Sequence, residues 1–271
     1  MRSTKQATPG ALLTPAAKRQ TADGADIGGV KKGTKDRGRR RLDPERALKS
    51  GMKLINKGPA FWRRGLQLIR CAAEGGLADA QFALGSYLEF GVGCRKNRKE
   101  ALAWYGRAAG GGDIAAIYTL GVCFHEGIGT KKNFRRAEHW FMRAVDLGDA
   151  DAPQALALLL RQKTRRTKAD LNRAFQLLKT AEGRGSRDAL FSLGVCHSRG
   201  EGTEVDKAAA LDYYRRAARV GDVDAQYNLG WFLENGIATP ANHAAAIRWY
   251  KKAAAGGEAT AKKRLRALRW H

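Results

Sequence analysis

The chain has 271 residues, with 50 basic and 26 acidic side chains giving a formal charge of +24, and 44% of its residues are apolar. That apolar share is enough for a sizeable core, while no run of 18 apolar residues supplies a membrane span. The charge excess points to partners with an acidic surface, or to nucleic acid.

Residues 1–42 carry eleven basic and three acidic side chains and almost no large apolar ones. Such a segment cannot bury enough surface to offset its ordering entropy, so a disordered basic arm is expected. Its apolar stretch, Gly10-Ala11-Leu12-Leu13, is too short for a secretory signal. A mitochondrial presequence is a lesser reading: the first 22 residues hold four basic groups and no acid, but two prolines and no amphipathic stripe. Lys31, Lys32, Lys35, Arg37, Arg39, Arg40 and Arg41 read as a nuclear import signal or a polyanion-binding arm.

Helical order is expected from Asp43-Pro44, an N-cap followed by proline in the first turn. Beyond it a period emerges. Ala80, Ala116, Ala152, Ala189, Ala225 and Ala261 are separated by 36, 36, 37, 36 and 36 residues, and each follows a glycine four positions upstream. A fixed period of this size means stacked supersecondary units that bury a core only against their neighbours.

Within a unit, a first helix (helix A) runs from the marker alanine through a leucine four residues on, Leu84, Leu120, Leu156, Leu193 or Leu229. Glycine follows that leucine in four units and lets two helix backbones approach. Helix A ends in Gly91-Val92-Gly93, Gly127-Ile128-Gly129, Gly200-Glu201-Gly202 or Gly236-Ile237-Ala238, glycines that supply left-handed conformations. The second helix (helix B) is expected to be capped by Asn97, Asn133, Asp170, Asp206 and Asn242. Small and large residues at offsets of 4, 7 and 11 from that cap trace its packed face.

The expected architecture is all-α, with the arm 1–42 followed by repeats near 43–78, 79–114, 115–150, 151–187, 188–223 and 224–258, and a capping helix over 259–271. The repeat at 151–187 lacks the glycine turn and uses Gln162-Lys163-Thr164-Arg165 instead.

The recurring A-x-x-x-L-G … G-x-G … (N/D)-x-x-x-A-x-x-(W/Y)-(Y/F)-x-(R/K)-A … G pattern resembles the Sel1-like repeat family, relatives of tetratricopeptide repeats. The resemblance covers roughly residues 43–271. It implies a right-handed α-solenoid of about six helix-turn-helix repeats that scaffolds protein complexes, and no catalytic residue. Some cysteine-rich bacterial relatives are linked to β-lactam binding, but their in-repeat cysteine pairs are absent here. In the arm, Arg2-Ser3-Thr4-Lys5-Gln6, Lys18-Arg19-Gln20 and Gly28-Gly29-Val30-Lys31-Lys32 are weakly similar, in order though with shorter spacing, to the tail of histone three. A functional tail of that kind would place Lys5 and Lys31 at modifiable positions.

Catalytic and metal-binding groupings are not apparent. The G-x-G turns lack the preceding strand and third glycine of a dinucleotide fingerprint. Cys123 and Cys196 fill a slot held by Tyr87 and Phe232 in sister repeats, and read as buried thiols. They lie two repeats apart, beyond disulfide reach, which suits a reducing interior. No cofactor is expected, and the localisation is read as cytoplasmic or, from the arm, nuclear.

One face of helix A varies while the leucine face does not. It carries Phe82, Ser86, Glu89, Tyr118, Val122, His125, Phe191, Ser198, Tyr227, Trp231 and Glu234, and is either a protein-binding groove or the contact between successive A helices. Arg107, Arg143, Arg216 and Lys252 recur in phase near the end of helix B, where cations suit a solvated face and the helix dipole. The reading is therefore a non-catalytic adaptor that grips a protein segment; the alternative is a basic nucleic-acid- or chromatin-associated factor.

Overall fold

The computed structural model describes residues 43–268. The basic arm, its histone-like motifs and Arg269 lie outside the described residues. Among those described there are thirteen helices and no strand. They are α1 (Pro44–Asn56), α2 (Pro59–Glu74), α3 (Ala78–Phe90), α4 (Arg98–Gly110), α5 (Ile114–Glu126), α6 (Phe134–Asp146) and α7 (Ala152–Gln162), followed by α8 (Lys168–Gly183), α9 (Asp188–Arg199), α10 (Lys207–Arg219), α11 (Val223–Glu234), α12 (His243–Ala255) and α13 (Ala259–Ala267). The fold class is all-α, built of helix hairpins in tandem.

Two compact units divide these helices, one of residues 43–116 with 128–131 and the other of 117–127 with 132–268. In the first unit α1 packs on α2, α2 on α3, and α3 on α4. In the second the same alternation runs from α6 to α13, with α5 entering through Gly121 against Phe141. Within each unit, a hairpin thus closes on itself and offers its second helix to the next.

The six marker alanines are all fully buried, and the marker leucines are at most 3% exposed. The glycine after the leucine has a specific use. A methyl group added at Gly85, Gly121, Gly194 or Gly230 would lie 2.7, 2.5, 2.7 or 2.8 Å from the ring of Tyr105, Phe141, Tyr214 or Tyr250. Each glycine is therefore a notch on helix A that seats an aromatic ring of helix B. In the irregular repeat both halves change together, to Ala157 and Leu178, and both remain buried.

The turn between the helices needs two left-handed residues. Gly91, Gly127, Gly200 and Gly236 hold φ between 65° and 79°, and Gly93, Gly129 and Gly202 between 71° and 78°. The second glycine also presses against the preceding B helix, where an added Cβ would collide with the carbonyl of Arg98 or of Leu171. In the last turn this second position is Ala238, at φ 57° the one non-glycine residue with positive φ among the described residues.

Asn97, Asn133, Asp206 and Asn242 cap their helices, each side-chain oxygen accepting a backbone N–H three residues on, at 2.8–3.1 Å. Asp170, expected as a cap, is not one. Without a glycine turn the chain enters α8 early, making it a 16-residue helix capped by Thr167. The Thr167 hydroxyl accepts the Asp170 N–H at 3.1 Å, and the Asp170 carboxylate accepts the Thr167 N–H at 2.9 Å, a reciprocal capping box. That backbone N–H first, then the Lys163 ammonium, holds the Asp170 carboxyl down at about 2.

Two outcomes follow from these positions. Replacing Ala238 with glycine relieves a left-handed alanine and should stabilise the chain by about 0.5–1 kcal/mol in chemical denaturation. A carboxyl held low in the folded state contributes stability that is present above its ordinary value near 3.9 and lost as pH falls towards 2. The stability gap between wild type and Asp170→Asn should therefore narrow from about pH 4 to about pH 2, measured by urea unfolding at each pH.

Candidate protein-binding surface

The varying face of helix A is built on the ring-in-notch contact. Phe82 leans on Tyr105 at 5.6 Å between ring centroids in the first unit. In the second unit Tyr118 leans on Phe141 at 5.6 Å, Phe191 on Tyr214 at 6.0 Å and Tyr227 on Tyr250 at 5.6 Å. The same B-helix ring that fills the glycine notch therefore supports the stripe, and all four stripe aromatics are half-buried. Burial, with Asp151 and Asp149 nearby, pushes the Tyr118 hydroxyl up to about 12, so it stays a neutral donor.

Of the remaining candidates, Ser86 and Glu89 share the first unit with Phe82, and the rest belong to the second. The Ser86 hydroxyl donates to the Phe82 carbonyl at 3.2 Å. Ser198 accepts the Lys207 ammonium on its carbonyl at 2.6 Å. Val122 is half-buried on α5. His125 places Nδ1 2.7 Å from Glu126 and Nε2 3.0 Å from the Gln162 side chain, with its ring edge-on to Phe134. Trp231 is 41% exposed, and its ring meets Phe232 at 5.7 Å. A run of rings, Phe191 to Tyr214 to Phe232 to Trp231, thereby links the stripes of α9 and α11 through α10.

Glu89 and Glu234 sit differently: they are buried and used inside the repeats. Tyr105 Oη donates to Glu89 at 2.8 Å. Tyr250 Oη donates to Glu234 at 2.7 Å, and Arg264 of α13 closes on the same carboxylate with Nε at 3.0 Å. The Arg264 guanidinium, offset by burial, keeps Glu234 below the usual carboxylate range. A buried carboxylate with this set of donors is satisfied and contributes to packing.

The position equivalent to Glu89 in the irregular repeat is Arg161, and its partner could not be read from the period. Arg161 donates through Nε and Nη2 to Glu201 at 3.0 and 2.8 Å. Glu201 occupies the middle of a glycine turn, where the sister residues are Val92, Ile128 and Ile237. Two exceptions to the repeat, 40 residues apart, thus answer each other as a nearly buried ion pair.

The in-phase cations of helix B also have a use the sequence reading left out. Arg107 lies over Trp104 at 4.3 Å, Arg143 over Trp140 at 5.7 Å, Arg216 over Tyr213 at 5.1 Å and Lys252 over Trp249 at 4.3 Å. Each cation covers the ring three residues earlier, a contact worth about 0.5–1 kcal/mol when exposed. The i, i+3 spacing was the signal. Where the ring becomes Leu177 the cation becomes Thr180.

Cys123 and Cys196 are buried thiols outside any disulfide, and burial pushes Cys196 up to about 11. Among the described residues no group of three or more His, Cys, Asp or Glu converges as for a metal, and no helix is long and apolar enough to cross a membrane.

The Sel1 repeat profile matches this chain at residues 78–113, 114–149, 153–186, 187–222 and 223–258. The chain belongs to the Sel1 repeat family. Among solved structures it is similar to c5321, a protective antigen of uropathogenic Escherichia coli with an SLR fold, at 26% identity and a TM-score of 0.76. That match covers 84% of this chain and 49% of the antigen. It is also similar to a Sel1 repeat protein of Oxalobacter formigenes, at 26% identity and a TM-score of 0.70 over 81% of this chain and 86% of that one. A stretch of 60 residues is 42% identical to the chitin synthase regulator SKT5 of Saccharomyces cerevisiae, covering 21% of this chain and 9% of the regulator. Sel1 repeats mediate protein–protein interaction.

The Arg161–Glu201 pair yields a sharp test. Glu201→Val alone strands a buried guanidinium and should cost about 3–5 kcal/mol. Adding Arg161→Leu should recover most of that loss, as a double-mutant cycle in guanidinium chloride would measure.

Proposed function

We propose that this Sel1 protein is a non-catalytic adaptor whose A-helix face grips a segment of a partner protein. The observation that carries the reading is the half-buried aromatic stripe, which every regular repeat supports from behind with a B-helix ring. Rings held in this way lose little entropy on binding and offer apolar area with a polar rim, as interface anchors do. Trp231 and Tyr118 are the leading anchors in the second unit, joined there by Val122, His125, Phe191, Ser198 and Tyr227. Phe82 and Ser86 offer the same kind of anchor in the first. Glu89 and Glu234 set the stripe's backing and do not touch the partner. The charge of the chain favours a partner with an acidic surface, mainly through a faster association rate.

A regulator among the relatives fits an adaptor without identifying the partner, since the match to it spans so little of that protein. The test is an affinity pull-down with quantitative mass spectrometry, using wild type and the Tyr118→Ala/Trp231→Ala variant. Partners that depend on the stripe should weaken at least about 30-fold, the loss of one hot-spot anchor. An unchanged partner list at unchanged thermal stability would remove this face from the function.

A further inference from the structure

The second unit carries a surface that the adaptor reading does not use, centred on the first turn of α6 and the α7–α8 connection. The residue that follows the in-phase cap of helix B is charged or polar in three sister repeats, namely Arg98, Lys207 and His243. In α6 it is Phe134, 50% exposed. Its only ring neighbour among the described residues is His125, edge-on at 5.6 Å.

Phe134 stands among cations. Lys132, Arg135 and Arg136 flank it in sequence, and His125 links it to the end of α7 by bonding Gln162 at 3.0 Å. The connection that follows Gln162 carries Arg165 and Arg166 and leads into Lys168. Three of the acids of this region, Glu126, Glu138 and Asp170, are already engaged. Glu138 and Asp170 both accept the Lys163 ammonium, at 3.2 and 2.9 Å, and Glu126 faces Lys132 at 3.8 Å. Arg136 spends its charge on the Phe124 ring at 5.4 Å. Among the described residues Arg135, Arg165 and Lys168 have no carboxylate within ion-pair reach. Beside them an open cavity of about 440 Å³ is lined by Arg166, Lys168, Asn172, Thr203 and the acidic residue Glu204.

We infer that this surface binds single-stranded nucleic acid. Unpaired cations attract phosphates, and a half-exposed ring flanked by basic residues offers a platform on which an unpaired base stacks. The two features together distinguish a single strand from other polyanions: a duplex hides its base faces, and an acidic peptide has none to stack. The surface is separate from the stripe except at His125, which borders both.

The experiment is fluorescence anisotropy of the full chain with a labelled oligouridine, a duplex DNA of equal length and polyglutamate, at about 50 and 200 mM salt. Phe134 is exposed, so Phe134→Ala should leave thermal unfolding unchanged. It should weaken oligouridine binding by about tenfold, the loss of one stacked base, without changing the salt slope or duplex binding. Arg135→Ala/Arg165→Ala/Lys168→Ala should lower the slope of log affinity against log salt by about 2. A third variant, with Lys31, Lys32, Arg39, Arg40 and Arg41 changed to glutamine, isolates the surface from the arm, and the Phe134 effect should persist in it. Oligouridine binding that ignores Phe134, or that vanishes with the arm substitutions alone, overturns the inference. Polyglutamate binding with the same dependence on Phe134 overturns it too, and assigns the surface to an acidic peptide.

Discussion

A glycine on one helix that seats an aromatic ring of the next is the contact on which the rest of each repeat depends. The notch has no room for a methyl group, so it fixes how closely helix A and helix B approach. The ring that fills it becomes the backing for the aromatic stripe on the opposite side of the contact. Interiors packed at this density tolerate paired changes of volume far better than single ones, and the chain contains its own example in Ala157 with Leu178. A candidate interaction face is thereby tied to a packing rule and inherits its spacing.

Polar groups then tie the two helices of a repeat together and, in places, one repeat to the next. Tyr105 with Glu89 and Tyr250 with Glu234 repeat the same bond between the two helices of their own repeats. Between them the period breaks, and Arg161 with Glu201 substitutes an ion pair for it. Buried charges of this kind add less to net stability than their Coulomb attraction suggests, but removing one partner strands the other. They restrict which neighbours fit side by side. The cation-on-ring pairs of helix B, by contrast, are local to one helix and occupy its exposed surface.

Much of the fold was legible because it is periodic. Buried alanines, marker leucines, glycine turns and four of the five expected helix-B caps follow from one spacing rule. Thr167 escaped because the irregular repeat has no glycine turn, so the cap moved three residues earlier while Asp170 stayed in phase. Arg161 and Glu201 escaped because each looks like a lone exception; only the fold brings residues 40 positions apart within bonding distance. Glu89 and Glu234 read as members of the varying face, a groove or a contact between A helices, and their buried bonds to helix B went unseen. Their donors, Tyr105 and Tyr250, sat in view on helix B, but pairing them requires the angle at which two helices cross. The exposed ring of Phe134 was hidden by the opposite error, because aromatics in these repeats are mostly core.

The most direct test of the ring-in-notch account is a double-mutant cycle on Gly121 and Phe141, a pair free of the tyrosine hydroxyl, read by reversible chemical denaturation. Gly121→Ala alone should overpack the notch at a cost of about 1–3 kcal/mol. Phe141→Leu alone should leave a void, costing about 1–2 kcal/mol on the scale of lost buried methylenes. Together they recreate the Ala157–Leu178 combination, so the double variant should fall short of the summed losses by about 1 kcal/mol or more. Losses that add to within about 0.5 kcal/mol would mean that glycine and ring do not act as one contact, and the repeat would need another organising interaction.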